Sequence, residues 1–250
     1  MGAGSIDGVL AELDGIIEVC RRRGTADGYF AALYRRVTAE VKVRIARGEF
    51  EDGARMERLD VVFANRYLDA WAARERGEPV TESWVVALTC CQSFWPVVLQ
   101  HLLLGMNAHI NLDLGIAAAA AAPGPGIHGL KNDFDTINAI LAEMVDDVQD
   151  RLAQIWPAMR WLDRSGGPVD EAVVNFSMRR AREHAWSVAI ALAGMQAPEA
   201  REAFICATDA SMATLGRRVR HPGVKLSFIL AFIRLRERGT VGEKIDALFR

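Results

Sequence analysis

Gln100-His-Leu-Leu-Leu-Gly-Met-Asn-Ala-His109-Ile-Asn-Leu-Asp113-Leu-Gly115 is the stretch on which the reading of the fold turns. It lies in a longer tract, from Ser83 to Leu112, without one Asp, Glu, Lys or Arg, in a chain that is 25% charged. Asp113 interrupts, and the next charge is Lys131. Against this apolar background stand Gln100, His101, Asn107, His109, Asn111 and Asp113. Each buried polar group without a partner costs about 1–3 kcal/mol. Such groups therefore form either a satisfied hydrogen-bond network or a functional centre. Two His, two Asn and an Asp so close together exceed what packing needs, which favours a functional centre.

The tract is long enough to be tested as a membrane span. Gln92, Gln100, His101, Asn107, His109 and Asn111 oppose that reading, as does Pro96, and no second convincing span accompanies it. A buried core helix is expected instead, in two pieces meeting near Pro96, where a proline removes one backbone hydrogen bond.

Helical periodicity continues on both sides of the tract. Ile6, Val9, Leu10, Leu13, Ile16 and Ile17 mark a first helix over 5–22, ended by Gly24. Thr25 or Asp27 is placed to cap a second, with Phe30, Leu33, Tyr34, Val37, Val41 and Ile45 on one stripe. A third, near 54–76, carries Met56, Leu59, Phe63, Tyr67, Ala70 and Trp71. Pro123-Gly-Pro-Gly126 stops an alanine-rich segment. Asn132 or Asp133 caps a long helix to Ile155, and Ser165-Gly-Gly-Pro168 is a loop. Helices over 170–195 and 198–215, a basic turn Arg217-Arg-Val-Arg-His221, and helices over 224–238 and 241–249 close the chain. The expected fold is all-α: one domain over residues 1–250, about eight or nine helices around a buried, nearly uncharged central helix.

Composition narrows the partners. With a net charge of -2 over 250 residues, neither nucleic acid nor an anionic membrane is drawn to the chain as a whole. Cys20, Cys90, Cys91 and Cys206 form no C-x-x-C pair, so no zinc ribbon or disulfide framework is expected. The first residues lack a basic-then-apolar leader, which points to the cytoplasm.

The local conformation of 106–114 has two readings. As a helix it places His109 and Asp113 at i, i+4 on one face, about 6 Å apart along the axis. As a strand, the strict alternation from Asn107 to Leu114 would align Asn107, His109, Asn111 and Asp113 on one side. Helix is favoured, because an isolated strand leaves its backbone unpaired. His109 and Asp113 at helical spacing are a two-ligand start for a divalent metal ion, iron or zinc. His101, about 12 Å earlier along a straight helix, joins the same ion only if Gly105 breaks the helix. His184, Asp133 and Asp60, on other helices, are the further candidates. Asn107 and Asn111 would orient substrate or ligands, and Arg66 would pair with a buried carboxylate or hold an anionic substrate. Each has a structural alternative: an N-cap for Asp133, a hydrogen-bonded core histidine for His184, an ion pair for Arg66 and a solvated turn for Arg217 to His221. Trp84, Trp95, Trp156, Trp161 and Trp186 read as core or boundary aromatics. Dinucleotide, P-loop, nucleophile-elbow and H-E-x-x-H motifs are absent from the sequence, as are paired E-x-x-H motifs.

The run Gln100 to Gly115, with Asn132-Asp-Phe-Asp-Thr-Ile-Asn138 and Ala181-Arg-Glu-His-Ala-Trp186, resembles an uncharacterised bacterial domain family, DUF5995. That resemblance implies a single helical domain of unsettled activity. A more remote similarity is to the zinc phospholipase C and P1 nuclease group, whose His-x-x-x-Asp pair His109 and Asp113 match. Those proteins use many more His and Asp ligands and a metal-binding N-terminal Trp, whereas this chain has five His and begins Met-Gly-Ala.

Three functions fit these residues. The first is a metal-dependent enzyme, hydrolytic or oxygen-using, acting on a small organic substrate: His109, Asp113, His184 and Asp133 hold the metal, and His101, Asn107, Asn111 and Arg66 serve the chemistry. The second is a non-enzymatic protein that binds a small molecule in a buried polar pocket. The third is a helical bundle, alone or as a homo-oligomer, whose polar network sets helix register.

Overall fold

A computed structural model describes residues 2–156 and 178–249. Among these residues the chain forms eleven α-helices and no strand. They are α1 (Ile6–Arg23), α2 (Asp27–Ala46), α3 (Gly53–Glu75), α4 (Glu82–Cys90), α5 (Val98–Ala108), α6 (Leu114–Ala121), α7 (Lys131–Ile155), α8 (Met178–Gly194), α9 (Pro198–Arg220), α10 (Val224–Arg236) and α11 (Val241–Phe249). A π-helical turn, His109–Asp113, joins α5 to α6, and a 3-10 segment, Gly124–Leu130, leads into α7. The count exceeds the expected eight or nine because several helices are short: α4, α6 and α11 have 9, 8 and 9 residues. The expected loop at Ser165–Pro168, Trp161 and the first residues of the helix expected from Asp170 lie outside the described residues.

Local signals act much as their chemistry dictates. Ser5 opens α1 by accepting the Gly8 N–H, and Gly24, at φ 66°, closes it in the left-handed conformation that suits glycine. Asp52 caps α3 by accepting from the Arg55 N–H. The cap expected for α2 is absent: Ala26 holds the cap position, and the Asp27 carboxylate instead takes Arg74 of α3 at 2.6 Å. Pro96 does not kink a continuous helix. The turn over 91–97 separates α4 from α5 outright.

The central helix runs without a break from Val98 to Ala121, 24 residues with a mean hydropathy of 1.3. It is long and apolar enough to cross a membrane, but 89% of its most apolar window is buried inside the fold. Leu102, Leu104 and Leu112 are at most 1% exposed, each contributing about 1.5–3 kcal/mol of burial. One core gathers α1, α2, α4, α5 and α11, and a second gathers α6, α7 and α8; the central helix supplies residues to both.

Two glycines let neighbours close on it. At Gly105 a Cβ would sit 2.5 Å from the Phe30 ring of α2. Gly105 therefore admits an aromatic ring and does not break the helix. At Gly115 a Cβ would sit 2.7 Å from the Val188 side chain and 2.8 Å from the Ala185 carbonyl oxygen, so α6 and α8 touch backbone to backbone.

Three helix N-termini are satisfied by carboxylates from distant parts of the chain. Asp209 of α9 accepts the Glu82 and Ser83 N–H groups at the start of α4, at 2.6 and 2.9 Å. Glu237 accepts the Val98 N–H at the start of α5, at 2.8 Å. Asp133 accepts Glu51 and Asp52 N–H groups just ahead of α3, at 2.6 and 3.2 Å. Exposed backbone donors and the positive end of the helix dipole explain why carboxylates sit there.

Candidate functional site

The polar residues of the central helix separate into two groups with different partners. Asn107 Nδ2 donates to the Met212 carbonyl at 2.8 Å, and Asn111 Nδ2 donates to Asn107 Oδ1 at 3.1 Å. Gln100 receives the Val97 N–H and donates to the Val219 carbonyl at 2.9 Å. Asn107 and Gln100 tie the central helix to α9, and Asn111 braces Asn107 from one turn further along the same helix. Asn107, expected with Asn111 to orient substrate, thus gives one N–H to α9 and one lone pair to Asn111.

His109 and Asp113 form the second group, within the π turn. There the Leu114 N–H bonds to the His109 carbonyl, one residue further back than in an α-helix. Both side chains are 1% exposed. The extended reading of 106–114 is overturned: the alternation of polar and apolar residues is carried by a wider helical turn. Such turns inside α-helices recur at functional sites.

Asp113 accepts from three donors. Arg66 Nε of α3 reaches Oδ1 at 2.6 Å; Trp84 Nε1 of α4 and His109 Nδ1 reach Oδ2 at 2.9 and 3.2 Å. Burial by itself would raise the Asp113 carboxyl, but the His109 and Arg66 partners outweigh it and hold the carboxyl below its ordinary value. For His109, burial dominates and lowers the imidazole, with Asp113 opposing. The pair is thus an ionised Asp113, balanced by Arg66, beside a neutral His109. A carboxylate only accepts, so His109 Nδ1 carries the proton and Nε2 carries the lone pair. That Nε2 is buried and has no hydrogen-bond partner among the described residues.

Five aromatic rings enclose the imidazole. Phe63 stacks on it at 3.7 Å between centroids and 8° between planes, and Tyr34 meets it edge-on at 4.6 Å. Phe30, Tyr67 and Trp84 stand 5.8, 6.1 and 6.0 Å away. The same region holds the buried Tyr34 and Thr38 hydroxyls, one helical turn apart on α2, and Asp60 Oδ2, which lacks a hydrogen-bond partner among the described residues. Burial pushes the Tyr34 phenol well up, with Asp60 adding to the effect. Burial pushes the Asp60 carboxyl up to about 7, with a smaller contribution from Glu57. The two carboxyl groups, on helical segments that pack together, shift in opposite directions, Asp113 down and Asp60 up. Phe63 and Arg66, both partly exposed, touch the buried pair from the solvent side.

The expected metal set is not assembled. Among the described residues no three His, Cys, Asp or Glu side chains gather where they could share a metal ion. Asp113 already receives three N–H groups, and Asp133 is taken by Arg55 at 2.7 Å as well as by two backbone amides. His184 is lowered by burial, and its Nε2 is buried and unpartnered, but it completes no such group. His101 belongs elsewhere: it lies 3.7 Å from Cys91 Sγ and edge-on to Tyr29 at 5.6 Å. These residues line a cavity of about 230 Å³ with Gln92, Arg234 and Glu237. There burial pushes the Cys91 thiol well up and His101 down to about 4, so neither group is charged near neutral pH.

Sequence reading reached His109, Asp113 and Arg66 and noted Asp60. Tyr34 and Trp84 carry no such mark in the sequence, because nothing in a helical stripe distinguishes a core aromatic from one whose ring packs on a histidine or whose N–H reaches a buried carboxylate. A family model, described as a family of unknown function (DUF5995), matches residues 6–222. No curated protein and no solved structure matches the chain.

Proposed function

We propose, for a chain that belongs to the DUF5995 family of unknown function, that it is an enzyme acting on a small polar organic substrate, with His109 as its acid–base group. One observation carries this reading: the buried His109 is oriented through Nδ1 by Asp113, while its Nε2 is left without a partner. A histidine held this way by a carboxylate accepts a proton at Nε2 and is stabilised as it does so. In this reading Asp113 and Arg66 are positioning residues, and Trp84 keeps the carboxylate in place. The rings of Phe30, Tyr34, Phe63, Tyr67 and Trp84 surround the imidazole and fix its orientation. The chemistry proposed is hydrolytic. No step is assigned to a zinc or iron cofactor, because no three His, Cys, Asp or Glu side chains among the described residues gather where they could share an ion. The likeness to the zinc phospholipase C and P1 nuclease group rests on the His109–Asp113 spacing, and here that pair is a hydrogen-bonded dyad whose carboxylate is already filled.

The test is a panel of chromogenic esters, amides and phosphoesters assayed with the parent protein and with His109→Gln and Asp113→Asn. Turnover should fall by about 100-fold or more in His109→Gln, the usual scale of a lost acid–base group, with the helical circular dichroism retained. The acid limb of kcat/KM should lie below the ordinary imidazole value of about 6.5, since burial lowers His109. Turnover that survives His109→Gln would remove His109 from the reaction.

The cavity beside His101 favours a second reading, that the protein binds a small molecule without transforming it. Its titratable lining is neutral, as in His101 and Cys91, or paired, as in Arg234 with Glu237. Native mass spectrometry showing an organic mass that co-purifies, together with no turnover on any panel member, would select that reading.

A further inference from the structure

The surface formed by α10 and the turn over 91–97 is unlike the rest of the molecule. Val224, Phe228, Phe232 and Leu235 recur at i, i+4, i+8 and i+11 and so share one face of α10. They are 75%, 74%, 58% and 65% exposed. Phe94 and Trp95 adjoin them at 61% and 59%, and Trp95, Val224 and Phe228 line one open cavity of about 670 Å³. The opposite face of α10, through Leu230 and Ile233, packs on Val97 and Trp156. The helix is therefore apolar on two sides, only one of which the fold uses. A contiguous exposed patch of large apolar side chains marks an interaction surface.

The charge beside it is one-sided. Residues 217–238 carry Arg217, Arg218, Arg220, Lys225, Arg234, Arg236 and Arg238 against a single acid, Glu237, in a chain whose net charge is -2. Glu237 faces inward, its Oε2 taken by Arg234 and Lys244 at 2.9 and 2.8 Å. Lys225, Arg236, Arg217, Arg218 and Arg238 are exposed. The Arg236 guanidinium lies 4.8 Å from the centroid of the Phe232 ring, at the edge of the stripe.

We propose that this surface docks on an anionic phospholipid bilayer, with α10 lying in the interfacial plane. The side chains suit that environment: Phe228, Phe232, Leu235 and Trp95 would enter the boundary of the acyl chains, and the flanking Arg and Lys would meet lipid phosphates. Apolar area and cationic flanks together are what bind such helices to anionic membranes. A second copy of the chain fits less well, because a two-fold pairing sets the same patch against itself and brings the cations together. This refines the expectation of no membrane partner, which follows from the whole-chain charge and the absence of a span. The charge that matters is local, and the central helix stays inside the fold. The proposal is independent of the chemistry assigned to His109.

The test is co-sedimentation of the full chain with vesicles of phosphatidylcholine alone and of phosphatidylcholine mixed with phosphatidylglycerol. The expected result is binding to the mixed vesicles, weakened by added salt, and little binding to phosphatidylcholine alone. Phe228→Ser/Phe232→Ser should lower the partition by about tenfold or more, and Lys225→Glu/Arg236→Glu should lower it on anionic vesicles. These positions are exposed, so unchanged circular dichroism and melting temperature will confirm that the variants fold. Brominated lipid should quench parent fluorescence more than that of Trp95→Phe. Absence of binding to the mixed vesicles overturns the proposal, as does binding that survives Phe228→Ser/Phe232→Ser. A concentration-dependent dimer in light scattering, lost in that variant while vesicles leave the parent in solution, would assign the surface to a second copy and also overturn it.

Discussion

Asp60 Oδ2 is buried without a hydrogen-bond partner, and its carboxyl is pushed up to about 7 by burial and Glu57. A raised acid makes folding less favourable as pH rises, because the unfolded chain releases the proton first. Stability is therefore lost between about pH 4 and pH 7, by up to about 4 kcal/mol. His101 is pushed the other way, down to about 4, by burial first and then by Arg234. Its contribution is complete above about pH 6.5 and is lost as pH falls toward 4, by up to about 3 kcal/mol. The two effects oppose each other over nearly the same range, so variants at each position separate them better than the parent alone. Asp60→Asn should gain melting temperature over the parent increasingly as pH rises from 4 to 7. His101→Gln should gain over the parent increasingly as pH falls from 6.5 to 4. Thermal melts of the three proteins across that range decide the matter, and parallel curves would contradict both assignments.

At the scale of the helix, fit against a neighbour decides what a glycine is for. Gly115 and Gly15 both lie within helices. A Cβ at Gly115 would meet the Ala185 carbonyl at 2.8 Å, whereas nothing lies within 4 Å of one at Gly15. Gly115→Ala must push α8 away from α6 and should cost about 1–3 kcal/mol. Gly15→Ala should stabilise by about 0.5–1 kcal/mol, through helix propensity and the loss of unfolded-chain freedom. Urea unfolding of the two variants makes the comparison, and similar effects in both would show that α6 and α8 are not in close contact. The π turn belongs to the same scale. It keeps His109 and Asp113 bonded to each other while Gly115, two residues on, faces α8.

Across the whole molecule, the last helices are part of the structural unit although the family match ends at residue 222. Ile245 and Leu248 of α11 are fully buried within the core of α1 and α2. Lys244 and Glu237 form an ion pair with both side chains 3% exposed, and the Glu237 Oε1 caps α5. Removing residues 241–250 exposes that core and leaves Glu237 without Lys244. Large-to-small losses of this kind cost about 2–5 kcal/mol per side chain, so the melting temperature should drop by about 10 °C or more. A truncated protein that melts like the parent would show that α11 is an appendage.

The sequence by itself determined the class of the fold, most helix positions and the burial of the central helix. Those follow from patterns within a few turns of chain: a 3.6-residue period, the Gly24 stop and a run without charge from Ser83 to Leu112. It also brought out His109, Asp113 and Arg66, because a charged or titratable residue in an apolar stripe is conspicuous. Only the tertiary structure decided what these residues do. Asp113 draws its donors from α3 and α4 as well as from its own helix, and Asp133 answers the N–H groups ahead of α3. Tyr34 and Asp60 acquire meaning from their neighbours across helices. Spacing along one helix can propose a pair of ligands, but whether a carboxylate binds a metal, a guanidinium or a backbone amide depends on which groups packing brings within about 3 Å of it.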